Sequence, residues 1–201
     1  MAKKKVHASR KAAGKSATKK HLKPATKTRK TGRSAAGSGL DATRAAIDTL
    51  GWVHASTDKL IDHIPAAHAL HQPCGTDNHM LWTVGHLAVT YCWFASLLDG
   101  KAIDIPAGYN ERFGYGSKPV ADAAVYPSLA EVRKQYDAAY TRMMNAVNRL
   151  KPADFGKPTV ADSHGFAKTR LDVVLRAAWH DGWHSGQLSA IRRSLGLPPI
   201  M

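Results

Sequence analysis

From Leu40 onward, apolar residues recur at the three- and four-residue spacing that places them on one face of an α-helix. Four such stretches follow one another, at about residues 40–65, 77–98, 128–150 and 169–196. Segments rich in proline and glycine separate them, and strand-like alternation is confined to a few residues near Thr159. Helices that each carry an apolar stripe bury it best against one another, so the pattern predicts an all-α four-helix bundle.

The ends of the predicted helices carry recognisable capping residues. Ser128 with Glu131 and Thr169 with Asp172 have the capping-box spacing at the starts of the third and fourth helices. Thr76 or Asp77 is the predicted cap of the second helix, and Gly100 is placed where a left-handed residue would end it.

Residues 100–127 form a long connection without sustained periodicity. Connections of this length in a compact domain are uncommon and are often functional. Tyr109 and Tyr115 within it either cover a binding site or simply anchor the loop, and we prefer the second interpretation.

The charge of the chain is concentrated at its amino terminus. The formal net charge is +14, but residues 1–38 hold 13 Lys or Arg and no Asp or Glu, which leaves +1 for residues 39–201. We therefore predict a disordered Lys/Arg/Ala-rich tail over residues 1–38 and the folded bundle over residues 39–201. Such a tail attracts nucleic acid electrostatically and without sequence preference, which makes non-specific nucleic acid a candidate partner.

Two features bear on the location of the protein. Residues 78–98 lack Asp, Glu, Lys and Arg over a length that could span a membrane, but they include two histidines and several other polar residues. We expect a buried central helix and no membrane association. Cys74 and Cys92 do not form a disulfide framework, which indicates a cytoplasmic protein.

His180 and His184 are four residues apart in the fourth predicted helix, so their imidazoles share one face, one turn apart. That face also carries Val173, Ala177, Gln187, Leu188, Ile191 and Leu195. The opposite face is predicted to be wet, with Ser185, Ser189, Arg192 and Arg193. A buried imidazole without a partner costs roughly 1–3 kcal/mol, and a shared metal ion would supply the partner.

A third ligand is expected from a facing helix, where His79 and His86 are the candidates. They share a face of the second helix but lie about 10.5 Å apart along its axis, too far for both to bind one ion at about 2.0–2.1 Å. We choose His86, because it lies deeper in the apolar run than His79. Cys92 lies about 120° around the helix from His86, which argues against it as a ligand.

Three motifs together resemble the DinB-like (DinB/YfiT) superfamily over roughly residues 40–198. They are Trp82-Thr83-Val84-Gly85-His86-Leu87, His180-x-x-x-His184-x-Gly186-Gln187-Leu188 and Arg192-Arg193-x-Leu195-Gly196-x-Pro198. The resemblance implies a four-helix bundle with a divalent-metal site at His86, His180 and His184. Ser185 departs from the pattern, since relatives often have Arg there, and this departure bears on any contact with an anionic substrate.

Three neutral imidazoles would leave an ion with an open position, where a thiol is held as thiolate or a water is acidified. The resemblance implies a thiol S-transferase or isomerase that uses a low-molecular-weight thiol and a small-molecule substrate. Zn, Ni, Mn and Fe all accept imidazole, so the ligands do not choose the metal. Relatives are often dimers, which makes a homodimer an expectation. Gln187 is either a contact to a ligating histidine or substrate, or a buried hydrogen-bonding residue.

Two other functions compete with this one. His180-Asp181-Gly182-Trp183-His184 resembles a metallopeptidase helix in which Asp181 would be the general base of a metal-dependent hydrolase. Alternatively, the bundle is a metal-stabilised, non-enzymatic scaffold whose basic tail contacts nucleic acid.

Other conspicuous residues have simpler interpretations. A second group of histidines could form another metal cluster, but we expect solvated or hydrogen-bonded core residues at His54, His63, His68 and His71. The bundle core or the wall of a pocket is the expected place of Trp82, Trp93, Trp179 and Trp183.

Overall fold

The computed structural model describes residues 35–75 and 77–200, and within these it contains helices and no strands. The helices are α1 (Ala35–Asp62), α2 (Met80–Asp99), α3 (Tyr109–Phe113), α4 (Leu129–Asn148) and α5 (Arg170–Ser194). Short 3-10 turns lie at Ala66–His68, Ala123–Val125 and Pro152–Asp154. The predicted all-α class is confirmed.

The four long helices form the predicted bundle. α2 packs against both α4 and α5, and α1 packs against α5. The additional helix, α3, lies inside the connection predicted as a loop and packs against α2. Its five residues are too few to show a helical period in the sequence.

α2 is the central helix. By length and composition it could cross a membrane, but 94% of its apolar window is buried inside the protein, as expected for the core of a bundle. Gly100 ends the helix in the left-handed conformation, at φ 72°, as predicted. The cap at the other end is His79 rather than Asp77, since the His79 side chain accepts a hydrogen bond from the Trp82 amide.

Both predicted capping boxes are present, at Ser128 with Glu131 and at Thr169 with Asp172. Each fixes the residue at which a long helix begins, and the second therefore sets the phase of the helix that carries His180 and His184.

Two predictions fall partly or wholly outside the described residues. The predicted disordered tail lies outside them for residues 1–34, and so does the alternative cap Thr76. α1 begins at Ala35, so the last four residues assigned to the tail are helical.

The prediction that Arg192 lies on a wet face was wrong. Its guanidinium is buried and donates hydrogen bonds to the carbonyls of His63 and Pro198. The chain beyond α5 turns back over this side of the helix, so Arg192 joins the end of α1 to the carboxyl-terminal segment. Ser185 and Ser189 are half-buried, and Arg193 is exposed as predicted.

Candidate metal centre

The structure brings together His86 of α2 and His180 and His184 of α5, with one candidate ligand nitrogen from each within 4.8 Å of the others. The Nε2 atoms of His86 and His180 are 3.2 Å apart. Two nitrogens that share one ion at 2.0–2.1 Å are separated by about 2.9–3.4 Å for bond angles between 90° and 109°. The separation of the His86 and His180 nitrogens therefore fits a shared divalent ion.

The ring of His86 is held from two sides. Its Nδ1 donates a hydrogen bond to the Phe113 carbonyl at 2.7 Å, and its face stacks on Trp82 with ring centroids 4.7 Å apart. Because a neutral imidazole carries one N–H, this hydrogen bond leaves the lone pair on Nε2, the nitrogen that faces His180.

Gly85 explains how the Phe113 carbonyl reaches His86. A Cβ added at Gly85 would lie 2.4 Å from the Phe113 ring, so only glycine allows α3 to pack this closely on α2. Gly85 thus allows the Phe113 carbonyl to accept a hydrogen bond from the neighbouring candidate ligand, His86.

We expect Gly85→Ala to weaken both folding and metal binding. The new methyl group displaces Phe113, which is fully buried, at a cost of about 1–3 kcal/mol in unfolding free energy, and it moves the carbonyl away from His86. Urea denaturation and a metal-binding titration measure the two effects. Gly51→Ala in α1 is the control, because its Cβ would meet only the Tyr140 hydroxyl at 4.0 Å. Equal metal affinity in the two variants would contradict this role for Gly85.

His184 is oriented by Gln187. Its Nδ1 donates to Gln187 Oε1 at 2.8 Å, and Asn78 donates to the same oxygen at 3.0 Å. His184 is therefore left with its Nε2 lone pair for an ion. Gln187 thus contacts a candidate ligand, and the same oxygen is also hydrogen-bonded to Asn78.

We expect Gln187→Leu to reduce metal affinity by about 10- to 100-fold, the usual loss when the hydrogen-bond partner of a ligating histidine is removed. The leucine keeps the volume but frees His184 to rotate. Competition with a chromophoric chelator measures the affinity. Gln135→Leu on α4 is the matched control, and an unchanged affinity in Gln187→Leu would show that His184 needs no partner.

His180 differs from His86 and His184 in the environment of its Nδ1. Its Nδ1 is buried and has no hydrogen-bond partner among the described residues. A buried nitrogen without a partner costs roughly 1–3 kcal/mol of folding stability. A strong interaction at the other ring nitrogen, Nε2, is needed to offset that cost. A metal ion at Nε2 fits this requirement.

Burial keeps the three imidazoles neutral. Desolvation, with the neighbouring imidazoles, lowers the pKa of His180 to about 3, and desolvation and His86 lower the pKa of His184 to about 4. The pKa of His86 is also lowered, chiefly by desolvation. Near neutral pH the candidate ligands therefore offer lone pairs, which is the form that binds a metal.

His79 and Cys92, which were rejected as metal ligands from the sequence, lie outside the histidine cluster. His79 is fully buried at the start of α2, where Nδ1 accepts from the Trp82 amide and Nε2 donates to the Val120 carbonyl at 3.0 Å. The Cys92 thiol donates to the Asp104 carbonyl at 3.3 Å. Neither belongs to the cluster, and His79 acts as a helix cap and a loop anchor.

The long connection is fastened to α2 beside the cluster. In addition to the bonds from His79 and His86, the Trp82 indole donates to the Ser117 hydroxyl at 3.0 Å. Tyr109 is buried and packs on Phe113, so it anchors the loop, as we preferred. Tyr115 is exposed and lines the cavity that contains the histidines.

That cavity has a volume of about 780 Å³. Its floor includes the three imidazoles, and its walls include Trp93, Trp179 and Trp183, as expected for pocket residues. The sequence did not indicate that Phe94 and Phe166 also line it. Trp82 instead lies in the core beneath His86.

Asp181 points away from this cavity. It is fully buried, and its two carboxylate oxygens accept hydrogen bonds from the Tyr91 and Thr57 hydroxyls. His54 joins this network, since its Nδ1 lies 3.2 Å from the Tyr91 oxygen and 3.0 Å from the Tyr136 oxygen. This network was not predicted from the sequence.

The other histidines that the structure describes do not form a second centre. Within the described ranges, His86, His180 and His184 are the group of three or more donors whose geometry could hold an ion. His54 is satisfied in the core, His63 and His68 are exposed, and His71 lies 2.9 Å from the Ser194 hydroxyl.

Comparison with known proteins was informative for the family alone. The family model of the DinB superfamily matches residues 49–188, which are 140 of the 201 residues and include all three clustered histidines. No curated protein matches the chain.

Proposed function

The chain belongs to the DinB superfamily, and we propose that it is a divalent-metal-binding protein that acts as a metal-dependent enzyme of thiol S-transferase or isomerase type. Its proposed ligands are His86, His180 and His184, and the ion is Zn, Ni, Mn or Fe. The proposed substrates are a low-molecular-weight thiol and a second small molecule, and the proposed location is the cytoplasm.

One observation carries this proposal. Three neutral imidazoles converge at the floor of an open cavity, and hydrogen bonds from the protein orient two of them. Closed structural metal sites use four protein ligands, whereas three ligands with an open position are typical of catalytic sites. The open side faces a space large enough for substrates.

A bound ion supplies a positive charge that favours the thiolate form of a thiol. The residues around it orient the reactants: Phe113 and Gln187 fix the ligand rings, and the aromatic walls offer apolar surface to a bound substrate. In transfer to an aryl chloride, the thiol proton goes to solvent and sulfur forms a bond to carbon. The carbon–chlorine bond breaks, and chloride leaves with its electron pair.

The test joins metal content with turnover. The purified full chain is analysed for the four metals and assayed with small thiols and 1-chloro-2,4-dinitrobenzene, before and after treatment with a chelator and after metal is restored. We expect activity to disappear with the metal and to return with it. Turnover that survives metal removal, or a metal-loaded chain that is inactive with every thiol, would reject the enzymatic proposal.

We also propose that the basic amino-terminal segment gives the chain a non-specific affinity for nucleic acid. The charge partition supports this, because residues 1–38 carry 13 of the 29 Lys and Arg residues and no acidic residue. Retention on DNA is expected to fall steeply with salt and to be lost when residues 1–34 are deleted, a deletion that leaves α1 intact. Equal retention after the deletion would reject this proposal.

A further inference from the structure

Most of the surface of the cavity above the three histidines is apolar, although polar side chains also line it, at Thr90, Asn110, Tyr115, Ser163, His164 and Gln187. Its larger apolar side chains are Trp93, Phe94, Ile103, Phe166, Trp179 and Trp183. Phe166 packs on both Trp93 and Phe94, with ring centroids 5.1 and 5.2 Å away, so part of the wall is formed before any ligand arrives. A cavity of about 780 Å³ is large enough for a ligand with one or two rings.

The mouth of the cavity is aromatic as well. Trp179 and Trp183 meet edge to face with centroids 5.0 Å apart, yet they remain 54% and 58% exposed. Covering exposed indole surface with another apolar group is favourable, at about 25 cal/mol for each Å² removed from water. Binding to this wall is therefore most favourable for a ligand with a ring system that covers the indole surface.

Charged side chains are missing from this wall. Among the described residues that line the cavity, none is Asp, Glu, Lys or Arg. His164 also lines the cavity, but its imidazole is paired with Asp162 at 3.3 Å. A carboxylate placed against the aromatic rings would lose its hydration without gaining a cationic partner there, which is costly. Ser185 supplies no such partner, because its hydroxyl contacts Thr57 of α1 and the residue does not line the cavity.

A ligand of the cavity can thus place one anionic atom at the three imidazoles. A second charged group of the ligand would find no partner on the aromatic wall. Resting on the function proposed above, we infer that the substrates of this site are neutral aromatic or bulky apolar molecules, and that its thiol carries no carboxylate. The cavity selects against acidic low-molecular-weight thiols. The ring of the ligand lies against Trp183 and Phe166, and its sulfur reaches the imidazoles.

The experiment compares two thiols that differ by one charge. Phenylmethanethiol and 4-(mercaptomethyl)benzoate are titrated by calorimetry into the zinc-loaded full chain. We expect the neutral thiol to bind at least about tenfold more tightly, because the added carboxylate finds no partner. Equal binding, or tighter binding of the carboxylate, would overturn the inference.

A pair of tryptophan variants locates the effect. Trp183→Ala is expected to weaken phenylmethanethiol binding by roughly five- to tenfold, since part of the ring is no longer covered. Trp52→Ala is the matched control, because Trp52 is 66% exposed and lies outside the cavity. An equal effect of the two substitutions would contradict the assignment of this cavity.

A probe without sulfur separates this inference from the proposed function. Phenylmethanol binding that depends on Trp183 but not on zinc, while neither thiol responds to zinc, would reject the metal chemistry and support the apolar cavity. Zinc-dependent binding of both thiols with equal affinity, and no effect of Trp183→Ala, would support the metal chemistry and overturn the inference.

Discussion

His180→Ala is expected to lower the affinity of the chain for a divalent ion by more than about a hundredfold, which exceeds the usual effect of losing an outer hydrogen-bond partner. The substitution removes one of three nitrogens and leaves two imidazoles for the ion. The same loss is expected for His86→Ala and His184→Ala. Metal analysis and competition with a chelator measure it.

The metal-free protein should respond differently to His180→Ala. This imidazole carries a buried Nδ1 that no described residue hydrogen-bonds, and its pKa is lowered to about 3 by burial and by its two histidine neighbours. Removing the ring also removes the cost of this unsatisfied atom, so we expect little loss of stability in thermal unfolding at neutral pH with chelator present. A residue whose loss abolishes binding but spares the fold is placed for function.

Two other histidines serve as controls. His68 is exposed, so His68→Ala should change neither metal content nor stability. His79→Ala should lose stability, because it deletes the cap of α2 and the bond to Val120, while the three candidate ligands remain. Near-stoichiometric metal in all three variants at His86, His180 and His184 would reject the shared site.

The pH dependence of binding gives an independent check. Protons compete with a metal only where they bind its ligands, and burial lowers the pKa of all three histidines, to about 3 for His180 and about 4 for His184. We therefore expect affinity to stay nearly constant between pH 7 and pH 5. In an exposed peptide of three histidines it would already fall near pH 6.5. An equally early fall in the folded chain would contradict the burial of the site.

Unlike the metal affinity, the stability of the metal-free fold should depend on pH in this range. Below about pH 6.5 the unfolded chain binds protons at these histidines and the folded chain does not, so stability falls as the pH is lowered. The sign follows from folded-state pKa values that lie below the unfolded one.

The features predicted from the sequence are those that depend on nearby residues. Helical periods, two capping boxes and the four-residue spacing of His180 and His184 are local, and they reappear in the structure. Axial distance along one helix excludes binding of one ion by both His79 and His86, and the apolar surroundings of His86 favour it over His79.

The features that escaped prediction depend on contacts between distant segments. The partner of His86 is a main-chain carbonyl 27 residues away, and a carbonyl has no signature in the sequence. Phe166 reaches the cavity only through the path of an irregular segment, and the burial of Arg192 depends on the chain beyond α5. α3 is too short to produce a periodic pattern.

The second large effect is expected at Asp181, beside His180 in the sequence but on another face of α5. Asp181→Ala should lower the unfolding free energy by about 3–5 kcal/mol, because the Tyr91 and Thr57 hydroxyls lose their buried acceptor. Urea denaturation measures the loss. Asp162→Ala is the matched control, since this exposed carboxylate contacts His164 alone among the described residues, accepting from its amide at 2.8 Å and lying 3.3 Å from its imidazole, and should contribute about 1 kcal/mol or less.

A double-mutant cycle assigns the effect to the network. Tyr91→Phe removes the donor and Asp181→Ala the acceptor of the same hydrogen bond, so their costs should not add, with a coupling of about 0.5–3 kcal/mol. Strict additivity would mean that the two groups stabilise the fold independently.

Asp181→Asn also separates the transferase proposal from the hydrolase alternative. Successive side chains on a helix differ in direction by about 100°, so His180 faces the cavity while Asp181 faces α1 and α2. A carboxylate already held by two hydroxyls, and absent from the cavity wall, is poorly placed to take a proton from a water there. We expect Asp181→Asn to lose stability but to keep metal and thiol-dependent turnover. A metal-loaded Asp181→Asn protein that loses peptide hydrolysis shown by the wild type would instead establish the hydrolase.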